Sequence, residues 1–228
     1  MAAPRIAVVI PTLDEEKALL QSLPAIFTAA DELIVSDGGS SDRTTEVAAR
    51  FGARVVSGPK GRGLQLNTGV AASDADAFLF LHADTLLPDE EALARVRGVL
   101  NQGFVGGGFL VRFDSPRAVY GFGSAMVNLR TRLTHTPLGD QAQFTSRRAF
   151  EAIGGFRDWP ILEDLDFIRR LRQHGRLAVL APPVTTSARR FERYGPVRTL
   201  ANNWLIFTLF SLGVSPRRLR RLYPQVGD

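Results

Sequence analysis

The first chemistry in the chain lies at the end of the run Ala77-Phe78-Leu79-Phe80-Leu81-His82-Ala83-Asp84-Thr85. An apolar run of this length between turn-forming residues predicts a strand buried on both faces. A carboxylate two residues beyond an imidazole, at the carboxyl end of such a strand, sits where open α/β sheets bind ligands. Oxygen and nitrogen donors there suit a divalent cation carrying a phosphate-bearing substrate. The alternative is that Asp84 caps the helix opened by Pro88 and Asp89. Three further polar clusters bear on the choice: Pro11-Thr12-Leu13-Asp14-Glu15-Glu16, Asp37-Gly38-Gly39-Ser40-Ser41-Asp42, and Lys60-Gly61-Arg62-Gly63 through Asn67. Asp37 can accept hydrogen bonds from a ribose or base edge, and Lys60 and Arg62 offer cations to phosphate. Asp-Gly-Gly-Ser alone is also simply a good turn.

These clusters act together only if the elements behind them bring them to one edge. Ile6 to Ile10, Glu32 to Asp37, Arg54 to Val56 and the Phe78 run are predicted strands. Between them lie predicted helices: one with Leu19, Leu20, Leu23, Ile26 and Phe27 on one face, one capped by Ser41 and Asp42 and running to about Arg50, and one over Gly61 to Ala72. Strand and helix alternating at this spacing predict a parallel sheet wound with helices, whose strand ends share one crevice. Beyond Asn101 the pattern loosens. Gly106-Gly107-Gly108 ahead of Phe109 to Phe113 predicts a strand that something approaches closely. A helix over 118–133, a strand at Gln143-Phe144-Thr145, a helix from Arg147 to Ile153, a helix from Glu163 to His174 and a last strand at Leu177 to Leu180 before Pro182-Pro183 complete the expectation.

Composition narrows the function. The 228 residues contain no cysteine, which excludes disulfides, thiolate zinc and cysteine nucleophiles. No secretory signal is visible, so a cytoplasmic protein is expected, either free or peripheral at the inner face of the membrane. The net charge of +5 is uneven: residues 1–110 carry 9 basic against 14 acidic side chains, residues 111–228 carry 19 against 9. All basic residues but Lys17 and Lys60 are arginine, which suits anionic partners, although an arginine-rich genome also accounts for the bias. No basic stretch interleaves with aromatics as a single-strand groove needs, so nucleic acid is not the expected partner. In the tail, the apolar run Trp204 to Val214 is too short to span a bilayer and is followed by Arg217, Arg218, Arg220 and Arg221. Either this helix lies on a membrane surface, or it docks on the sheet or on a second copy of the chain.

A dinucleotide reading fails because Pro11 to Glu16 lacks the Gly-x-Gly-x-x-Gly that a pyrophosphate needs, and a P-loop is absent. The ordered series Val9-Ile10-Pro11-Thr12-Leu13-Asp14-Glu15-Glu16, Ser36 to Asp42, Gly63-Leu64-Gln65-Leu66-Asn67-Thr68-Gly69, Leu81 to Thr85, Gly154-Gly155-Phe156 and Glu163-Asp164-Leu165-Asp166 resembles the family 2 glycosyltransferases over roughly residues 5–175. The resemblance implies a GT-A fold and transfer of a sugar, generally with inversion, from a nucleoside diphosphate sugar to an acceptor hydroxyl. It implies nucleoside contacts at Pro11, Thr12, Glu15 and Asp37. Lys60, Gly63, Asn67 and Ala83 in the neighbouring loops are further expected nucleotide-sugar contacts, and Arg189 and Arg190 are expected to close over the pyrophosphate. The resemblance also implies Mn²⁺ or Mg²⁺ at Asp84, with His82 standing where the family carries an aspartate.

The Glu163-Asp164 pair maps the general base onto Asp164, and transfer to an alcohol does need a carboxylate to take the proton. On sequence alone Asp164 is equally a helix N-terminal residue favoured by the dipole. Asp140 and Gln141, polar in an apolar region, are expected to line the acceptor pocket. The expected organisation is one α/β domain over residues 1–228, with a nucleotide half to about 105, an acceptor half to about 185 and a helical tail from 189. The rival readings are a non-catalytic nucleotide-sugar sensor, which would need no base, and a sugar nucleotidyltransferase, which would want a basic, glycine-rich first loop.

Overall fold

The structure, a computed structural model, describes residues 3–27 and 29–223, without the side chains of Phe27, Arg190, Pro196, Val197 and Leu200. Strand β1 (Ile6–Thr12), helix α1 (Glu16–Phe27), β2 (Glu32–Asp37), α2 (Thr44–Arg50), β3 (Arg54–Ser57), α3 (Arg62–Ala71) and β4 (Ala77–Phe80) form the first half. They are followed by β5 (Thr85–Leu86), α4 (Ala92–Asn101), β6 (Gly106–Phe113), α5 (Ala118–Thr134), β7 (Phe144–Ser146), α6 (Arg147–Ile153), α7 (Glu163–His174) and β8 (Leu177–Thr186). Helices α8 (Arg189–Tyr194), α9 (Pro196–Ser211) and α10 (Pro216–Leu219) close the described chain.

One eight-stranded sheet runs in the order β3-β2-β1-β4-β7-β6-β8-β5. β1 pairs in parallel with β2 and β4, and β2 with β3, so Thr12, Asp37, Ser57 and Phe80 end on one edge. β7 runs antiparallel to both β4 and β6, while β6 and β8 are parallel. β1 is buried throughout Ile6–Ile10 because both its faces are covered. Ile6, Val8 and Ile10 join Leu19, Leu23 and Ile26 of α1 in one core, and Ala7 and Val9 join Leu66 and Val70 of α3 in the other. Gly69 permits the second packing, since a Cβ there would stand 2.3 Å from Val9 Cγ1. Five phenylalanines fill that core, with Phe156 stacked 4.1 Å from Phe167 and Phe80 edge-on to both. Removing one such ring typically costs about 3–5 kcal/mol.

The glycine run behaves as expected: a Cβ on Gly107 would lie 2.0 Å from the Ala178 carbonyl oxygen, and one on Gly106 2.3 Å from that of Phe144. Other expectations need correction. β4 stops at Phe80, which leaves Leu81 and His82 to a turn that delivers Asp84. The last strand does not end before Pro182-Pro183 but continues to Thr186. The ladder with β6 slips between Phe109 and Val111, so the prolines fall in a bulge where no amide is needed. Leu20 of α1 is exposed rather than buried, and the Phe27 side chain lies outside the described residues. The tail packs one side onto the protein: Ile206 and Leu219 bury with Ile161, and Arg169 lies 5.3–5.4 Å over the rings of Phe207 and Phe210. Among the described residues no helix is long and apolar enough to cross a membrane.

Candidate active site

The carboxyl edge of β1, β2, β3 and β4 gathers the four predicted clusters. Asp37, at the end of β2, accepts from Thr12 Oγ1 at 3.1 Å and from the backbone amides of Gly39 and Ser40, both at 2.9 Å. Burial pushes its carboxyl up, but hydrogen bonds from Ser40, Gly39 and Thr12 win and hold it below its ordinary range. Gln65 reaches from α3 beneath this loop, its amide donating to the carbonyls of Thr12 (2.6 Å) and Ser36 (3.0 Å). Asp14, at φ +55°, accepts from the amide and hydroxyl of Ser41 and so fastens the β1 loop to the β2 loop.

Across the crevice, Arg189 at the start of α8 closes a bridge between two of these loops. Its guanidinium donates to both carboxylate oxygens of Glu15 (2.9–3.2 Å) and lies 3.1 Å from Asp84 Oδ2. Burial raises the Asp84 carboxyl above its ordinary value, while Arg189 pulls the other way. Among the described residues no three His, Asp or Glu side chains are placed to hold a metal ion. One carboxylate is nevertheless a sufficient protein contribution where substrate phosphates complete the shell, provided Arg189 gives up its contact with Asp84 to the cation.

His82 lies beside Asp164. A Cβ on Gly139 would stand 3.0 Å from His82 Nε2 and 3.1 Å from Asp164 Oδ2, so both groups converge on that glycine. Burial, with Arg62 and Arg189 nearby, pushes the imidazole down to about 3, which keeps it neutral. Asp164 sits in the first turn of α7, where Oδ2 accepts from Gly139 N–H at 2.7 Å and Oδ1 from Leu165 N–H at 2.8 Å. Its neighbour Glu163 is 2% exposed and pairs with Arg62 at 3.1 Å, its carboxyl raised by burial. Pro11, Leu66, His82, Gly139, Phe156 and Asp164 share the lining of one cleft.

Asp140 lies beside this wall. Burial drives its carboxyl up to about 6, helped by Asp164 and Asp84 and opposed by Arg130. Gln141 does not share the exposure expected of an acceptor contact. It is fully buried; its side chain accepts from Thr131 and the Leu138 amide and donates to the Phe109 carbonyl, so it builds the loop under Asp140. Three expected nucleotide contacts are likewise used for packing. Asn67 clamps the Phe156 backbone with both ends of its amide (2.8 and 2.9 Å), Gly63 lets the Arg157 carbonyl approach, and Ala83 is buried in the core. Lys60 is exposed on the loop before α3, and the Arg190 side chain lies outside the described residues. Gln143, which donates to the carbonyls of Pro137 (2.8 Å) and Asp164 (3.1 Å), was not among the expected site residues. Its signal was an uncharged amide directly ahead of a buried strand.

Known proteins are similar to this chain in sequence and in fold. The profile described as Glycosyl transferase family 2 matches residues 7–151. The PGL/p-HBAD biosynthesis glycosyltransferase of Mycobacterium bovis is 31% identical over 182 residues, 73% of this chain and 69% of that protein. The mannosyltransferase PcManGT from Pyrobaculum calidifontis, solved with GDP-Man and Mn²⁺, superposes with a TM-score of 0.67 at 20% identity over 97% of this chain and 68% of that one. TarS 1–349 of S. aureus superposes with a TM-score of 0.61 at 16% identity; the overlap covers 86% of this chain but 64% of the TarS chain. The fold is thus that of the GT-A glycosyltransferases, and the chain belongs to glycosyltransferase family 2.

Proposed function

We propose that the protein transfers a sugar from a nucleoside diphosphate sugar to an acceptor hydroxyl, with inversion, using Asp164 as the base. The observation that carries this reading is the placement of Asp164: fixed by Gly139 N–H at 2.7 Å, on the cleft wall beside neutral His82. A carboxylate held through both oxygens by single backbone N–H groups, on the wall of a cleft, keeps lone pairs free and is preorganised to accept a proton. The acceptor oxygen forms its bond to the anomeric carbon as the carbon–oxygen bond to the diphosphate breaks on the opposite face. The hydroxyl proton passes to Asp164, and the electron pair leaves with the diphosphate. Asp37 and the loops it ties meet the nucleoside, and Glu15 and Arg189 border the diphosphate. A divalent cation held by Asp84 and the substrate's own phosphates would supply charge against the leaving group. The carboxyl of Asp140, raised to about 6 by burial beside Asp164, is placed to meet the acceptor. Solved neighbours carrying GDP-Man with Mn²⁺ and UDP-GlcNAc support a donor of this class.

The test is a panel of UDP-, GDP- and dTDP-sugars with Mn²⁺, read by hydrolysis and by melting temperature. A single nucleotide class that both stabilises and is turned over supports the reading. Stabilisation without turnover of any donor, with acceptor hydroxyls supplied, would contradict it.

A further inference from the structure

We propose that the outward face of α5 docks on anionic lipid. This helix is apolar on two opposite sides. Its inner side buries Tyr120 against Phe113 and packs Val127 on the main core. Its outer side leaves Val119, Phe122, Met126, Leu129 and Leu133 between 43% and 75% exposed. At about 100° per residue these five fall within an arc of about 80°, one continuous stripe along the helix. A stripe of large side chains in water is the mark of an interaction site rather than of a finished surface.

Charge decides what covers it. From Pro116 to Leu138 there is no Asp or Glu; Arg117 and Arg132 are the exposed charges, while Arg130 turns inward onto Gln141. A second copy laid against this face would add arginines to arginines. Acyl chains beneath anionic headgroups instead satisfy the stripe and its cations together. The same pairing recurs in the tail. Helix α8 packs Phe191 against Phe113 and Tyr120 at the start of α5, then leads into α9. There Trp204 is 63% exposed, and Arg217, Arg218, Arg220 and Arg221 follow in a segment, 195–223, without an acidic residue. The inference rests on surface composition and does not depend on the transfer reaction. Five residues beyond α5 the chain reaches Gly139 and then Asp140, so lipid held there lies close in sequence to the cleft.

Sedimentation of the full chain with vesicles tests the proposal. Vesicles of phosphatidylglycerol and phosphatidylcholine in equal parts should bind at least about tenfold more tightly than phosphatidylcholine alone, and less as salt rises. Phe122→Ser with Leu133→Ser should weaken binding at least about tenfold with the melting temperature unchanged. Should that variant fail to fold, amide exchange decides on the wild type: the amides of α5 should slow when the anionic vesicles are added. Equal binding to both vesicles, no binding to either, or slowing of α5 that tracks protein dimerisation instead of lipid would overturn it.

Discussion

Asp140→Asn should make the protein more stable at pH 8. The folded state holds this carboxyl neutral up to about pH 6, because burial and the nearby Asp164 and Asp84 outweigh Arg130. In the unfolded chain it ionises near pH 4. Below about pH 4 both states are protonated, and the group contributes fully to stability. Between about 4 and 6 the folded state binds the extra proton, so that contribution is lost as pH rises. A difference of about two units corresponds to an upper value of about 3 kcal/mol at pH 8. Asparagine keeps the volume and removes the ionisation, so the variant should gain about 1–3 kcal/mol there, or roughly 2–12 °C in Tm. Denaturation in urea at pH 4, 5, 6, 7 and 8 follows it: the two proteins should converge at low pH and separate through the window. A variant less stable than wild type at pH 8, or a gap that does not change with pH, would refute the reasoning. A side chain that weakens its own fold at neutral pH is a candidate for work on substrate.

Three other substitutions follow from the same geometry. Arg62→Met leaves Glu163, 2% exposed, without its cation; the loss should be about 3 kcal/mol at pH 8 and smaller at pH 5, read by urea denaturation. Gly69→Ala forces a Cβ to within 2.3 Å of Val9 Cγ1 and should cost about 1–3 kcal/mol, visible as a lowered urea midpoint with m unchanged. Asp84→Asn should abolish most of the stabilisation that a nucleoside diphosphate gives with Mn²⁺, about 2.7 kcal/mol at a hundredfold excess over Kd; equal stabilisation of both proteins would remove Asp84 from the metal's reach.

Much of the first half of the chain was legible because its signals are local. β1, β2 and β4 lie in the sheet interior with neighbours on both sides, and they read as unbroken apolar runs. Helix α7 announced itself by Leu165, Ile168 and Leu171 on one side and Gly175 at its end. What escaped depends on contacts between distant residues. The course of β8 through Pro182-Pro183 is set by a bulge against β6, which no local pattern reveals. In sequence Asn67 reads as a ligand contact, whereas its amide pairs with a backbone 89 residues away. Gln141 looked polar in an apolar region because it is an internal hydrogen-bonding hub, which composition cannot separate from a binding residue. The meeting of His82 with Asp164 at Gly139 likewise joins residues far apart in the chain, which no local pattern reveals.

Single-turnover transfer by Asp164→Asn, with donor binding measured separately, tests the central claim most directly. The amide can keep the hydrogen bond from Gly139 or the one from Leu165, but not both as carbonyl acceptors, so a stability loss of about 1–3 kcal/mol is expected. Assays therefore belong at a temperature where both proteins are fully folded. The account predicts donor affinity within a few-fold of wild type and transfer slowed by about 10²–10⁴-fold, the usual cost of losing a general base. Transfer at the wild-type rate by the folded variant would show that the proton leaves by another route.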